Sequence, residues 1–260
     1  MLPLSFTEYY EAVKQKGYSL ERVYRKYVEY GSFPYITELE ENKQNITSYL
    51  EGLYTSVIVK DIINRNKIDN IRSLEDCIRF MFDNIGNTTS AKKISNAITS
   101  AGKKISNYTI DKYLSYLTNT YILYKVGRYD IKGKQYLQTQ EKYYLVDIGL
   151  QHYLLGSKRS DIGRVLENIF YLELLRRGYE IYIGKIGAVE IDFIAMKDGK
   201  IEYYQVAYSV IDNTTFEREI NPLNNIREHG SKFLLTMDNL PISSYNGIQQ
   251  IYVLDWLLQN

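Results

Sequence analysis

The sequence predicts a multidomain α+β and α/β protein, in which helical and mixed parts follow one another along 260 residues. Three observations support this prediction. Residues 1–65 carry apolar side chains at helical spacing, residues 66–146 fit three helices and a β-hairpin, and residues 147–260 alternate helix with strand. We therefore expect three domains with these bounds: a helical, lid-like segment, a winged helix-turn-helix, and an α/β sandwich with a mixed sheet.

Composition limits the class of protein. With 45% hydrophobic and 24% charged residues, the chain should form globular domains. No apolar run approaches the roughly 18 residues that span a bilayer, and the first residues lack a secretory signal pattern. The single Cys77 lies on an apolar helical face and is predicted to be a buried thiol. We expect a cytoplasmic protein without a membrane partner.

Two amphipathic stretches make up most of the first domain. Apolar residues from Leu20 to Val28 recur at helical spacing, and Gly31-Ser-Phe-Pro34 ends that pattern. A second apolar face extends from about Asn42 to Ile63. Both stretches are predicted to be helices, and no strand pattern competes with them.

The second domain has the element order of a winged helix. Thr89 or Ser90 can cap the second of its three helices, and Ser106 can cap the third. Two strand-like runs follow, at 121–126 and 142–146, with a polar basic tip between them. Three short helices and a basic hairpin in this order predict a winged helix-turn-helix.

The basic charge of the chain is concentrated in the same domain. Residues 91–142 carry 10 Lys or Arg and 3 Asp or Glu, a net charge of +7, whereas the whole chain has +1. Such a block is typical of a nucleic-acid-binding module, because lysine and arginine contact phosphates. DNA is therefore the expected partner, although a winged helix that only contacts protein remains an alternative. The candidate DNA-binding residues are Lys92, Lys93, Lys103, Lys104, Lys112, Lys125, Arg128, Lys132 and Lys134.

The third domain alternates helix and strand in a way that favours a mixed sheet. Its predicted elements are a helix over 163–177, strands near 179–183, 189–196 and 201–210, a helix over 216–227, strands over 232–236 and 247–253, and a last helix.

Three side chains in this domain form a candidate site. Glu167 is on the first helix, Asp192 on the second strand and Gln205 on the third. A helix carboxylate, a strand Asp and a Glu/Gln-x-Lys on the following strand build the metal site of the PD-(D/E)XK nuclease fold. There, oxygens hold Mg²⁺, which activates a water. If the site is catalytic, these three residues carry the chemistry; Asp192 and Gln205 would bind the metal, with Glu190 as an alternative ligand. Ala207 stands where that chemistry needs lysine.

The missing lysine leaves several interpretations open. A degenerate, non-cleaving nuclease scaffold is the leading one, and a weak Mg²⁺-dependent nuclease with a displaced lysine is the alternative. Lys185 or Lys200 could then replace the lysine from elsewhere. In a purely structural site, Asp192 would pair with Arg164 or Arg218.

No other site is predicted for this chain. A phosphate-binding loop of the form G-x-x-x-x-G-K-[ST] is missing, so no nucleotide cofactor is expected. His152 and His229 are isolated and have no Cys partners at zinc-like spacing.

Seven short segments carry a resemblance to a known family: Tyr144–Leu150, Gly163–Asn168, Glu173–Tyr179, Glu190–Phe193 and Gln205–Ala207, together with Pro3–Tyr9 and Gly31–Pro34. They resemble the DUF4143 domain at the C-terminus of prokaryotic AAA+ (AAA_14-type) ATPases. The resemblance implies a winged helix followed by a restriction-endonuclease-like fold, an ATPase core as an N-terminal partner, and ATP bound only by that absent domain. Gln-Val-Ala in place of Glu-x-Lys is common in that family, which implies a scaffold that does not cleave. The expected function is then a DNA-binding and assembly module of such an ATPase, with a protein-interaction module as another alternative.

Overall fold

The protein is of the mixed α/β type. A computed structural model describes residues 2–39, 42–156, 161–241 and 243–259. Within these residues lie eleven α-helices and one eight-stranded mixed sheet. The prediction of a mixed α/β protein with a mixed sheet is therefore confirmed.

The chain divides into two compact units. The first comprises Met1–Lys125 and Lys142–Ser160, and the second comprises Val126–Glu141 and Asp161–Asn260. The chain therefore passes from the first unit to the second and back within one β-hairpin. The three-domain division at residues 65 and 146 stays a prediction.

The first unit is built mainly from helices whose starts are fixed by side-chain caps. Ser90 accepts a hydrogen bond from Lys93 N at 3.2 Å, and Ser106 accepts one from Thr109 N at 3.1 Å, so both predicted caps are confirmed. The described helices of this unit are α1 (Phe6–Val13), α2 (Leu20–Tyr30), α3 (Lys43–Leu53), α4 (Ile62–Asn66), α5 (Ile71–Asp83), α6 (Ala91–Ser100), α7 (Asn107–Asn119) and α8 (Ile148–Leu155).

Two of these helices differ from the prediction. The helix expected from Asn42 to Ile63 is interrupted, because a π-helical stretch, Tyr54–Asp61, separates α3 from α4. The β-branched run that follows Tyr54 has low helix propensity, which favours this change of hydrogen-bonding pattern. Helix α8 was not predicted, since its eight residues are too few to show a periodic pattern.

A buried aspartate organises the core of the first unit. Asp147 caps α8 by accepting from Gly149 N at 2.8 Å, and it also accepts from Ser32 N at 2.6 Å and Ser32 Oγ at 2.7 Å. Burial raises the pKa of this carboxyl to about 6, although the hydrogen bonds oppose the rise. Gly31 has φ +86°, and a Cβ there would lie 2.1 Å from Asp147 Oδ1. The glycine that ends α2 is thus required by the packing of Asp147.

The second unit contains most of the sheet. The strands are β1 (Leu123–Asp130), β2 (Gln135–Leu145), β3 (Glu180–Ile186), β4 (Val189–Lys197), β5 (Lys200–Ala207), β6 (Ser231–Thr236), β7 (Ser243–Tyr245) and β8 (Ile248–Tyr252). The strand order is β2-β1-β3-β4-β5-β6-β8-β7. Parallel pairing joins β1 to β3, β5 to β6 and β6 to β8. Antiparallel pairing joins β3 to β4, β4 to β5 and β7 to β8. Helices α9 (Ile162–Arg176), α10 (Asn213–Asn224) and α11 (Val253–Leu258) accompany the sheet.

Apolar side chains stabilise the sheet through the helices of this unit. Phe170 of α9 lies 4.9 Å from Tyr204 of β5 and 4.4 Å from Trp256 of α11, measured between ring centroids. An apolar cluster (the β–α10 cluster) joins Ile220 and Leu223 of α10 to buried residues of several strands, including Ile194 and Tyr203. These contacts fix α9 and α10 against β4 and β5, the strands that carry the candidate site.

The strands differ from the prediction mainly at their ends. Strand β5 ends at Ala207, three residues earlier than expected, and Val210 N beyond it donates to Asp238 Oδ2 at 2.8 Å. The hairpin strands β1 and β2 reach further toward their shared turn than predicted. The short polar strand β7 was missed, since three residues give no alternation pattern.

Candidate functional site

The three predicted site residues meet in one open cleft of the second unit. Glu167 of α9, Asp192 of β4 and Gln205 of β5 all line this cleft, which has a volume of about 440 Å³. Helix α10 contributes Arg218 and Glu219 to its wall. Glu167 and Gln205 are buried, whereas Asp192 is half-buried.

A chain of hydrogen bonds crosses the cleft through Gln205. The Gln205 amide oxygen accepts from Asp192 N at 3.4 Å, and its nitrogen donates to Glu219 Oε2 at 2.9 Å. Glu219 Oε1 accepts from Arg218 at 2.7 and 3.0 Å. Asp192 Oδ2 accepts from Val206 N at 2.9 Å, so this carboxylate also holds the backbone of β5.

This network explains why glutamine stands at position 205. An ionised carboxylate only accepts hydrogen bonds, so Glu219 requires a donor from its neighbour, and an amide supplies one. Gln205 is 7% exposed and Glu219 is 9% exposed, so the contact is shielded from water. A glutamate at position 205 would place two buried carboxylates against each other, which is unfavourable.

Position 207 holds an alanine whose methyl group packs with apolar side chains, so it cannot supply the lysine of a nuclease. Ala207 is 8% exposed and belongs to the β–α10 cluster, with Ile220 and Leu223. Among the described residues that line the cleft, the cationic ones are Arg164 and Arg218. The two lysines considered from the sequence as replacements are not among the residues that line it.

Both arginines of the cleft form ion pairs with carboxylates that line the same cleft. Arg164 Nε lies 3.4 Å from Asp161 Oδ2, and Arg218 Nη2 lies 2.7 Å from Glu219 Oε1. Both arginines therefore neutralise carboxylates at the rim and wall. Such pairing is compatible with a structural role for these charges.

The metal ligands expected from the sequence do not form a cluster of carboxylates. In the described part of the chain, no group of three or more His, Cys, Asp or Glu side chains is arranged to hold a metal ion. Glu190 pairs in register with Lys185 of β3 and is not among the residues that line the cleft. Mg²⁺ binding by Asp192, Gln205 or Glu190 stays a prediction.

Five of the predicted DNA-binding residues lie in the first unit on α6, on α7 and between these helices. Lys92, Lys93, Lys103, Lys104 and Lys112 are all exposed. Lys93 Nζ donates to Thr88 O at 3.0 Å, and Lys103 forms an ion pair with Asp76 at 2.7 Å. Lys112 Nζ lies 4.5 Å above the ring of Tyr108, which is 69% exposed. Lys125, on the part of β1 that belongs to the first unit, is exposed too.

The remaining predicted DNA-binding residues belong to the second unit. Arg128 of β1 is half-buried, and its Nη1 donates to Gln140 Oε1 at 2.6 Å. Lys132 and Lys134 are exposed in the turn that joins β1 to β2. These two lysines are therefore accessible to a partner.

Glu219 was missed from the sequence, although a signal for it existed. The residue lies three positions after Phe216 and one before Ile220, on the helix face that was predicted to point inward. An acid within an apolar helical stripe indicates a buried carboxylate that needs a partner.

The isolated histidines were predicted to have no zinc-binding role; His152 Nδ1 lies 3.2 Å from Glu29 O, and burial lowers the pKa of His152.

Comparison with known proteins gives a family and two relatives. The model of a family described as a domain of unknown function (DUF8612) matches residues 21–161. The chain is 39% identical over 259 residues to an uncharacterized protein of Haemophilus influenzae, and 29% identical over 277 aligned positions to one of Methanocaldococcus jannaschii. These matches cover 99% and 98% of this chain but 64% and 59% of the relatives. No solved structure matches.

The family predicted from the sequence is therefore wrong. The matching family is DUF8612 and not DUF4143. The placement of the chain at the C-terminus of an AAA+ ATPase rested on the DUF4143 resemblance and is withdrawn with it. The motifs used for that resemblance were short, so they did not separate the two families. Among the described helices, none has the length and apolar character required to cross a membrane.

Proposed function

This chain belongs to the DUF8612 family, a domain of unknown function, and we propose that it binds DNA through a winged helix that includes α6 and α7. The observation that carries the proposal is the exposed basic surface of this helix pair. Five lysines occupy it, whereas residues 91–142 as a whole contain 3 acidic residues. Lysines spaced along one surface neutralise phosphates, which supplies much of the affinity of a protein for DNA.

Helix α7 has the properties of a helix that enters the major groove. Ser106 caps its start, and Asn107, Tyr108 and Lys112 are exposed on its first turns. Recognition helices present residues of this part to base edges, and amide side chains such as asparagine pair with adenine. Helices α5, α6 and α7 pack on one another, as the three helices of a winged helix would.

The ion pairs of the first unit leave most of this surface available. Of the five lysines, Lys103 has the acidic partner described above, Asp76. In the described part of the chain, Lys92 and Lys104 form no ion pair. These lysines can therefore release counterions from DNA, so binding should weaken steeply as salt concentration rises.

We propose further that the cleft of the second unit is a nuclease-like framework that does not cleave DNA. The proposal is supported by the position of Glu167, Asp192 and Gln205, which come from one helix and two neighbouring strands and line one cleft. Gln205, however, is committed to Glu219, and Ala207 lies among apolar side chains. The described lining of the cleft contains no lysine to stabilise the developing charge, and its carboxylates are not grouped in threes around a possible metal position.

Binding of a fluorescein-labelled duplex, followed by anisotropy over a range of salt concentrations, tests the DNA proposal. The variant Lys92→Glu/Lys93→Glu/Lys104→Glu should lose most of the affinity, and its salt dependence should fall by about one unit of slope per lysine. The matched control Lys16→Glu/Arg25→Glu/Lys67→Glu changes charge equally at exposed positions of the same unit outside α6 and α7. No binding by the folded wild-type protein at low ionic strength refutes the proposal, and so does equal loss in both variants.

Cleavage is tested separately by incubating the same duplex with the protein and Mg²⁺. We expect the duplex to remain intact. Cleavage that Asp192→Ala abolishes would instead establish a nuclease with a displaced lysine. Because Asp192 also holds Val206 N, the far-ultraviolet circular dichroism of that variant must be compared with the wild type.

A further inference from the structure

Three tyrosines lie side by side on neighbouring strands at one edge of the sheet in the second unit. The ring centroids of Tyr129 on β1 and Tyr136 on β2 are 5.4 Å apart, and those of Tyr136 and Tyr182 on β3 are 5.1 Å apart. Tyr129 and Tyr182 are 6.0 Å apart, so each ring contacts the other two. We call this group the tyrosine platform.

Two rings of the tyrosine platform pack against the sheet, and the third ring is exposed. Tyr129 and Tyr182 are half-buried and pack against the β–α10 cluster. The hydroxyl of Tyr182 donates to Glu180, which fixes that ring further. Tyr136 is 62% exposed, although it contacts two other rings. The Tyr136 ring is therefore open to solvent beside two rings that pack on the sheet.

Cationic side chains lie on the turn that precedes Tyr136. Lys132 and Lys134 are both exposed there. The nearest acid of the turn, Asp130, is engaged in holding it, because its Oδ1 accepts from Gly133 N at 3.2 Å. The end of the hairpin thus combines an open aromatic surface with two exposed lysines, while the carboxylates of Asp130 and Glu180 are each held by a hydrogen bond.

We propose that the tyrosine platform binds single-stranded DNA, with an unpaired base stacked on Tyr136 and its phosphates next to Lys132 and Lys134. Aromatic side chains beside a basic surface are the two parts that single-strand-binding proteins share, because every base has an aromatic face and every nucleotide a phosphate. A proline-rich peptide also packs on tyrosines, but it offers no charge to the two lysines. The inference rests on the proposed DNA-binding function and names the form of DNA that the second unit contacts.

Anisotropy titrations with fluorescein-labelled oligothymidine test the inference, with the duplex used above as the second probe. Tyr136→Leu should weaken oligothymidine binding about tenfold, since the stacking of one base on the ring is lost. Tyr136→Phe keeps the ring and should bind almost as the wild type does. Tyr245→Leu is the matched control, because Tyr245 is 46% exposed on β7, the strand at the other edge of the sheet. Duplex affinity should be unchanged in all three variants.

The outcomes separate this inference from the proposed function. Wild-type protein that binds duplex but not oligothymidine overturns the inference and leaves the proposed function standing. Equal oligothymidine affinity for wild type and Tyr136→Leu overturns the inference as well, and so does displacement of oligothymidine by oligoproline. Oligothymidine binding that needs Tyr136, without any duplex binding, supports the platform and refutes the duplex-binding function. Thermal unfolding of each variant confirms that the fold is retained.

Discussion

Replacing Gln205 by glutamate should destabilise the second unit in a way that depends on pH. In the wild type, the Gln205 amide nitrogen donates to Glu219 Oε2 at 2.9 Å, and the two side chains are 7% and 9% exposed. The variant puts a second carboxylate at this distance. Two charges about 4 Å apart repel each other by about 4 kcal/mol at an effective dielectric constant of about 20. The pair can avoid this repulsion only by taking up a proton.

Proton uptake sets the size of the effect. Holding a proton on a glutamate costs about 1.4 kcal/mol for each pH unit above about 4.3. The loss of unfolding free energy should therefore be about 3–4 kcal/mol at pH 7 and about 1 kcal/mol at pH 5. The slope between these values corresponds to one proton bound by the folded variant and not by the unfolded chain.

Urea unfolding of wild type and Gln205→Glu at several pH values measures this difference. The control is the exchanged pair Gln205→Glu/Glu219→Gln, in which an amide again faces a carboxylate and most of the stability should return at every pH. A loss that is the same at pH 5 and pH 7 would contradict the argument, because a like-charge pair must respond to protonation. No rescue by the exchanged pair would equally show that the Gln205–Glu219 contact is unimportant.

Three further predictions concern the first unit. Burial raises the pKa of Asp147 to about 6, above its usual value of 3.8, so the folded state binds this proton more tightly than the unfolded chain. Its contribution to the unfolding free energy, about 3 kcal/mol, is complete below pH 4 and is lost as the pH rises through 6. Urea unfolding of Asp147→Asn should show a flatter pH dependence in this range. An unchanged pH dependence would refute the assignment. Gly149→Ala would put a Cβ 2.3 Å from Tyr30 O, so it should lower the unfolding free energy by about 2 kcal/mol or more. A stability equal to that of the wild type in the same assay would contradict the close contact. Burial raises the pKa of the Cys77 thiol to about 12, so a thiol reagent at neutral pH should label it only as the protein unfolds. Rapid labelling of the native protein would contradict this prediction, because it would show that the thiol is accessible.

Elements with strong local signals were predicted well. Ser90 and Ser106 start helices because a hydroxyl accepts from a backbone N–H two or three residues ahead, a contact that needs no distant partner. The strands that carry Asp192 and Gln205 were predicted within a few residues from their apolar runs. Short elements such as α8 and β7 were missed, since eight and three residues are too few to show a period.

The family was predicted wrongly for a related reason. The segments that resembled DUF4143 are short combinations of glycine, acidic and apolar residues at the ends of helices and within strands. Many α/β proteins need such residues at these places, so they indicate local structure more strongly than descent. The match of a whole family model over residues 21–161 uses far more positions and gives DUF8612.

By itself, the sequence determined the mixed α/β class, the caps of several helices, the basic block and the trio of Glu167, Asp192 and Gln205. All of these depend on residue type and local spacing. Only the tertiary structure decided what surrounds them. It brings Glu219 from α10 to within 2.9 Å of Gln205, packs Ala207 into an apolar cluster, and gathers three tyrosines from three strands. These contacts join residues on different helices and strands, and their positions follow from packing across the sheet rather than from any pattern along the chain.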